Sequence, residues 1–273
     1  MSQASWTSPD ISPDIPSVAR MYDYYLGGFH NFAVDRVAAE RALAIYPGLR
    51  LVMQANRAFL RRAVRYMVEQ GVDQFLDIGS GIPTAGNVHE VAQELNPQAR
   101  VAYVDVDPVA VTHSNAILRG QPGVTAVLAD ARQPEALLRQ LATAHLLRLD
   151  RPVGVLCLML LHFVPDDAEA LHMVRALRDA MAPGSYLVVS HATSDQMPEE
   201  ARLQMTRLYA GTSSPIVARS SAQIAEFFEG LQLVPPGLVY LPRWRPEDAD
   251  ELLLDEPERS ISLGGVARLM PPA

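Results

Sequence analysis

Between Phe75 and Thr84 the sequence reads FLDIGSGIPT. A short apolar run ends on an acid, Asp77, and two residues later reaches Gly79-Ser80-Gly81. A run of this length and composition is expected to be a buried strand, and the glycines permit a tight turn directly after it. Glycines at the carboxyl end of a strand let backbone approach a ligand closely. This loop therefore favours strand–turn–helix architectures whose sites lie at strand ends.

The flanking sequence keeps the same rhythm. Strands are expected at residues 73–78, 99–104, 125–129, 153–158 and 186–190, with helices between them at 87–94, 109–118, 134–141 and 168–181. Alternation of this kind specifies an α/β, Rossmann-like parallel sheet with helices on both faces. A further helix at 221–229 leads to two apolar runs, 231–241 and 260–269, with no helix between them. They are expected to form an antiparallel hairpin at the sheet edge. Upstream, three helices are expected: one from Ser17 to the stop at Gly27-Gly28, one at 33–45 ended by Pro47-Gly48, and one at about 50–70 with Gly71 as its C-cap. Residues 1–16 read as a flexible arm, 17–70 as an N-terminal helical cap, and 71–273 as the ligand-binding domain.

Composition removes several classes of function. The chain has 31 acidic and 23 basic residues, a net charge of −8, which disfavours a nucleic-acid partner. All 23 basic residues are arginine. A P-loop NTPase, a protein kinase and a pyridoxal-phosphate enzyme each need a particular lysine, so none is expected in its usual form. No apolar run reaches the roughly 18 residues that span a bilayer. The first residues carry acid and lack an apolar core, unlike a secretory signal. Cys157 is the single cysteine and reads as core. A cytoplasmic protein with no membrane partner is expected, and its oligomeric state is left open.

Three strand ends carry acids: Asp77, then Asp105 in YVDVDP, then Asp130 in VLAD. Each has a task if the ligand is an adenosine bearing a sulfonium side chain. Asp77 faces the cationic methionyl end, Asp105 accepts the ribose hydroxyls, and Asp130 accepts the adenine amine. The helix N-terminus after the glycines is expected to present N–H donors to the ligand carboxylate. The dinucleotide fingerprint G-x-G-x-x-G is a poor match, because Thr84 stands in the sixth position and Asp77 would oppose a pyrophosphate. The candidate cofactor residues are Tyr22, Gly28, Asp77, Gly79, Gly81, Thr84, Asp105, Val106, Asp130, Ala131, Leu158 and Met159. Val106 is expected against adenine, while Asp107 before Pro108 reads as a helix N-cap. No metal site is expected: His89-Glu90 with Gln93 supplies only one ligand of the zinc motif H-E-x-x-H.

The chain resembles the actinobacterial S-adenosyl methyltransferase family formerly catalogued as a domain of unknown function. The matching stretches are PSVARMYDYYLGGFHNFAVDR at 16–36, NRAFLRRAVRYM at 56–67, FLDIGSGIPTAGNVHEVAQ at 75–93, VAYVDVDP at 101–108, LLHFVPDD at 160–167, GSYLVVSHAT at 184–193 and ARSSAQIAEFFEGLQLVPPGLVYLPRWRP at 218–246. The resemblance implies the seven-stranded class I methyltransferase fold and S-adenosylmethionine as cofactor. It supplies no acceptor. Relative to the wider class, Pro83 stands where a third glycine is common.

On the acceptor side, His162 and His191 close the fourth and fifth strands and are candidate general bases. Tyr22, Tyr25, Gly27, Gly28, Asn31 and Phe32 form an aromatic-glycine cluster suited to a lid over the methionyl end. Residues 197–217 interrupt the path from the fifth strand to its helix and suit a pocket wall. Arg57, Arg61 and Arg65 share one helix face and read as solvated or ion-paired, with an anionic-acceptor site as the alternative. The expected function is methyl transfer to oxygen or nitrogen of a small molecule. The alternatives are an NAD(P)-dependent oxidoreductase and a non-catalytic S-adenosylmethionine-binding regulator.

Overall fold

The computed structural model describes residues 14–83, 86–144, 146–248 and 251–271, so most of the expected arm and the candidate Thr84 lie outside it. Three helices come first: α1 (Val18–Tyr25), α2 (Ala33–Ile45) and α3 (Leu49–Glu69). The alternating part follows as β1 (Gln74–Ile78), α4 (Val88–Leu95), β2 (Arg100–Asp105), α5 (Pro108–Ile117), β3 (Val124–Leu128), α6 (Pro134–Thr143), β4 (Gly154–Leu158), α7 (Asp167–Asp179) and β5 (Tyr186–Ala192). The chain ends with α8 (Glu199–Tyr209), α9 (Ser221–Glu226), β6 (Gln232–Leu233), β7 (Val239–Tyr240) and β8 (Ser262–Arg268).

The strands lie in the order β3-β2-β1-β4-β5-β8-β6, with β7 also paired to β8. β1 to β5 run parallel, and β8 enters antiparallel between β5 and β6. Strand order reverses between β1 and β4, which opens a crevice at their carboxyl ends. The two terminal runs pair antiparallel as expected, and the hairpin differs from the expectation in two respects. β8 is an interior strand, because its apolar run Ser262–Arg268 is buried until its last residue. The single strand expected at 231–241 is two short ones, since Pro235 and Pro236 lack the N–H that a continuous ladder needs.

Alternate strand residues feed two separate cores. Phe75, Val101, Tyr103 and Leu156 pack with Phe59, Met67 and Val91 on one face. Leu76, Ala102, Val104 and Val155 pack with Leu137, Val174 and Phe227 on the other. This two-residue period is why each strand reads as a continuous apolar run. The helix α3 belongs to the first core. A third core joins Met21, Tyr25, Ala39 and Ala42 to Met205 and Tyr209, fastening α1 and α2 to α8. Among the described residues, no helix is long and apolar enough to cross a membrane.

The turn after β4 is fixed by Arg219, which is 2% exposed. Its guanidinium donates to the carbonyls of Leu161 and Val164 at 2.8 Å each and to Asp167 at 2.8 Å. Arg219→Ala should therefore lower the unfolding free energy by about 3 kcal/mol, read by urea denaturation, because it leaves buried carbonyls unpaired.

Candidate active site

A cavity of about 500 Å³ lies at the carboxyl ends of β1 to β4. One wall is made by the strand-end loops, the other by α1, α3 and α8. The volume falls within the roughly 300–1,000 Å³ of small-molecule sites.

Asp105 organises the strand-end wall. It is buried, and its carboxylate accepts the N–H of Gly81 at 2.7 Å and that of Asp107 at 2.8 Å. The N–H groups of Gly79 and Ser80 donate to the Val104 carbonyl at 2.8 and 3.1 Å. Three successive loop amides are thus engaged by the end of β2, and helix α4 starts only at Val88. These loop amides are therefore turned toward β2 and away from a ligand. The glycines serve by conformation: Gly79 and Gly81 have φ of +68° and +62°, and Gly81 has open space where a Cβ would stand. Asp105 keeps further lone pairs for a ligand, since a carboxylate has about four acceptor sites.

Asp77 is also buried and lines the cavity. Among the described residues, no hydrogen bond reaches its carboxylate. Burial raises its pKa to about 7, against the pull of Arg57 and with a smaller push from Asp105. Burial likewise lifts Asp105 to about 6, opposed by the two N–H groups it accepts. Two buried acids whose ionisation burial disfavours gain from the arrival of a cationic ligand.

A directional chain of hydrogen bonds leads to Tyr22. The Met159 N–H donates to Ser190 Oγ at 2.9 Å, Ser190 donates to Asn56 Oδ1 at 2.7 Å, and Asn56 Nδ2 donates to Tyr22 Oη at 2.9 Å. The Tyr22 hydroxyl accepts within the protein, which leaves its proton for a group in the cavity it lines. Sequence reasoning missed Asn56 and Ser190, which act only through contacts made across 134 residues. It read Arg57 as part of a solvated or ion-paired face, with an anionic-acceptor site as the alternative; Arg57 lines the cavity and donates to Asn87 at 2.7 Å.

Asp130, Ala131, Val106, Leu158 and Met159 all border the cavity. Val106 is 56% exposed, an apolar surface that a planar ring would cover. Asp130 is held by Arg132, whose Nη2 lies 2.7 Å from Oδ2 and whose hydrogen bonds lower the Asp130 pKa. Asp107 caps α5 as expected, accepting the Val109 N–H at 2.8 Å. Among the described residues, no cluster of three or more His, Cys, Asp or Glu could hold a metal.

Two candidates are displaced. Gly28 does not line the cavity; it lies against Asp23, whose Oδ1 would stand 2.0 Å from an added Cβ. Asp23 Oδ2 also accepts from His30 N–H and Asn31 Nδ2, so the glycine serves the fold of that loop. Of the expected lid cluster, Tyr22 and Tyr25 reach the cavity, while Gly27, Asn31 and Phe32 do not. His191 is the other. Its Nδ1 bonds the Ala192 carbonyl at 2.7 Å and its Nε2 faces Arg219 at 3.0 Å, so neither nitrogen is left for a substrate. Burial lowers its pKa to about 3. His162 lines the cavity from the turn after β4, with Nδ1 accepting the Ala192 N–H at 3.4 Å.

These features suit S-adenosylmethionine, with acids for its cationic end and ribose, and an apolar face for its base. A family model described as S-adenosyl methyltransferase matches residues 4–270. A candidate methyltransferase from Thermobifida fusca YX, solved as a crystal structure, is 36% identical with a TM-score of 0.89, over 98% of this chain and 100% of that one. A DUF574 family protein from Streptomyces avermitilis is 38% identical with a TM-score of 0.87, over 95% of this chain and 99% of that one. An O-methyltransferase family protein from Burkholderia thailandensis, 12% identical with a TM-score of 0.54, covers 88% of this chain and 63% of its own, a likeness of fold alone. No curated protein matches the chain.

The raised carboxylates have a consequence for stability. The folded protein holds the Asp77 proton from pH 3.8 to about 7 while the unfolded chain has lost it. Stability of the ligand-free protein should fall as pH rises across that interval and level off above it. Asp77→Asn should then be more stable than wild type at pH 8 by on the order of 2 kcal/mol, measured by chemical denaturation.

Proposed function

The chain belongs to the S-adenosyl methyltransferase family and is an S-adenosylmethionine-dependent methyltransferase; within that activity, we propose how its residues hold the donor and what kind of acceptor it serves. Nothing in the family or the fold supports the oxidoreductase or regulatory alternatives.

The observation that carries the reading is one cavity bordered by Asp77, Asp105 and Asp130, at the ends of three adjacent strands. Asp105 accepts the ribose hydroxyls, Asp130 the adenine amine, and Val106 with Ala131 covers the ring. Asp77 faces the methionyl ammonium and sulfonium end, and the Tyr22 hydroxyl donates to the methionyl carboxylate beside Arg57. Leu158 and Met159 border the ligand from the end of β4. The bound cofactor supplies an activated methyl group, so the protein's share is orientation and exclusion of water.

The acceptor is a small molecule methylated through oxygen or nitrogen. It occupies the part of the cavity between α1, α3 and the segment 197–217, to which Met197, Met205 and Tyr209 contribute. The cavity is enclosed by helices on that side, which suits a small molecule, and the net charge of −8 disfavours nucleic acid. A cytoplasmic location goes with this reading.

Calorimetry with S-adenosylhomocysteine tests it. Asp105→Ala should weaken binding by about a hundredfold, roughly 2.7 kcal/mol, while thermal unfolding stays cooperative. Wild-type affinity in that variant defeats the assignment. Binding should also weaken as pH falls below 7, because protonated Asp77 no longer attracts the ammonium, and in Asp77→Asn the loss should begin only lower, as Asp105 titrates near 6.

A further inference from the structure

We infer that the acceptor is an apolar carboxylic acid, methylated on its carboxylate oxygen and drawn into the cavity by Arg202. This rests on the cofactor placement proposed above and adds the chemical class of the acceptor.

The first ground is the distribution of charge. Among the described residues, every acid that lines the cavity, namely Asp77, Asp105, Asp107 and Asp130, stands at the end of β1, β2 or β3. Among the described residues that line the cavity, those from α1, α3, α8 and the turn after β4 include no acid. The body of that opposite wall is apolar, with Leu49, Val52, Met53, Phe163, Met205 and Ile216 facing the space. An ammonium acceptor would meet no counter-charge there and would sit beside a sulfonium cation. Burying an unpaired charge in such surroundings is prohibitive.

The second ground is the lack of a proton acceptor on that wall. The imidazole of His162 takes the Ala192 N–H on Nδ1, so a neutral ring carries its proton on Nε2. Burial drives its pKa well below the ordinary value of 6.5, with His191 and Arg219 adding to the effect. His162 therefore offers a donor. Tyr25 and Tyr209, whose hydroxyls stand 3.3 Å apart, are likewise kept protonated by burial. A phenol or alcohol must shed a proton on methylation, and among the described residues His162, Tyr25 and Tyr209 do not receive it, while a neutral amine would become an ammonium that no acid lining this wall pairs. A carboxylate has no proton to shed. Its oxygen supplies the pair for the new bond to the methyl carbon, the carbon–sulfur pair stays on sulfur, and the products are a methyl ester and the neutral thioether.

The third ground is Arg202. Of the guanidinium groups bordering the cavity, Arg20 is held by Asp35 at 2.7 Å, Arg132 by Asp130, and Arg57 donates to Asn87 at 2.7 Å. Arg202 lines the α8 side, and its ion-pair partner is Glu199, 79% exposed and 3.8 Å away. An exposed pair at that separation contributes little, so the guanidinium is available to an entering carboxylate.

Three matched probes test the inference on protein saturated with S-adenosylhomocysteine: naphthalene-2-carboxylate, 2-naphthylmethanol and 2-naphthylmethylamine, each titrated by calorimetry. The carboxylate should bind at least tenfold more tightly than the alcohol and the amine. Arg202→Gln should abolish that preference and leave the affinity for S-adenosylhomocysteine unchanged. With tritiated-methyl cofactor, the carboxylate should acquire label that alkali releases as methanol. Equal or tighter binding of the amine or alcohol, a preference that survives Arg202→Gln, absent or alkali-stable labelling, or no carboxylate binding overturns the inference. Failure to bind S-adenosylhomocysteine counts instead against the cofactor placement.

Discussion

The buried carboxylate of Asp105 is the constraint around which the site is arranged. It ends β2, yet its oxygens hold the Gly81 amide of the neighbouring loop and the Asp107 amide of its own. One side chain thereby sets the glycine turn and the entry to α5 at the same time. Hydrogen bonds to a carboxylate are charge-assisted, and in a buried setting they fix geometry strongly. Asp77 on the adjacent strand is a second buried acid, and each disfavours the charge of the other across the strand ends. The protein keeps two carboxylates in a place where their ionisation is unfavourable until a cation arrives. That is a cost to the empty fold and an advantage to ligand binding, in keeping with the general opposition of stability and function.

The N-terminal helices are tied to this same centre. Ser17 donates to Asp107 at 2.6 Å, and its own N–H goes to Asp35 at 2.8 Å. Arg20 joins the two acids, at 2.7 Å from Asp35 and 3.6 Å from Asp107. All three ionic groups are substantially buried, so the link is specific in geometry even where its net contribution to stability is modest. Asp107 thus serves as a helix cap on one oxygen and as the anchor of the cover on the other. The contacts of α2 with α8 complete the cover, and the cavity acquires an apolar wall that the strand-end loops do not provide.

Much of the layout was legible in the residues. Strands β1 to β5 and their helices follow from apolar runs and glycine stops, because local pattern and tertiary packing agree there. The acids Asp77, Asp105 and Asp130 were legible because parallel strands bring their carboxyl ends to one edge whatever the details of packing. The order of β8 was not. An antiparallel run with no helix before it fits an edge or an interior position equally well by local pattern, and only its burial between β5 and β6 settles the matter. Gly28 and His191 illustrate the same limit on a smaller scale. Their types suggested a site, but Gly28 is required by the Asp23 carboxylate and His191 by Arg219, each a neighbour that spacing does not reveal.

The strand–helix alternation determined the class of fold, and the glycine loop the edge of the sheet at which a ligand sits, because conformational freedom at φ near +60° belongs to residue type. The acids in sequence order made a ligand that is cationic at one end and carries a ribose the expected one. Tertiary structure decided the rest of the chemistry. It turned the loop amides inward to Asp105 and Val104, brought Ser190, Asn56 and Tyr22 into one chain of hydrogen bonds, and placed opposite the strand ends a wall whose described lining residues include no acid. Those outcomes depend on which groups face each other across many residues, and no local pattern encodes that.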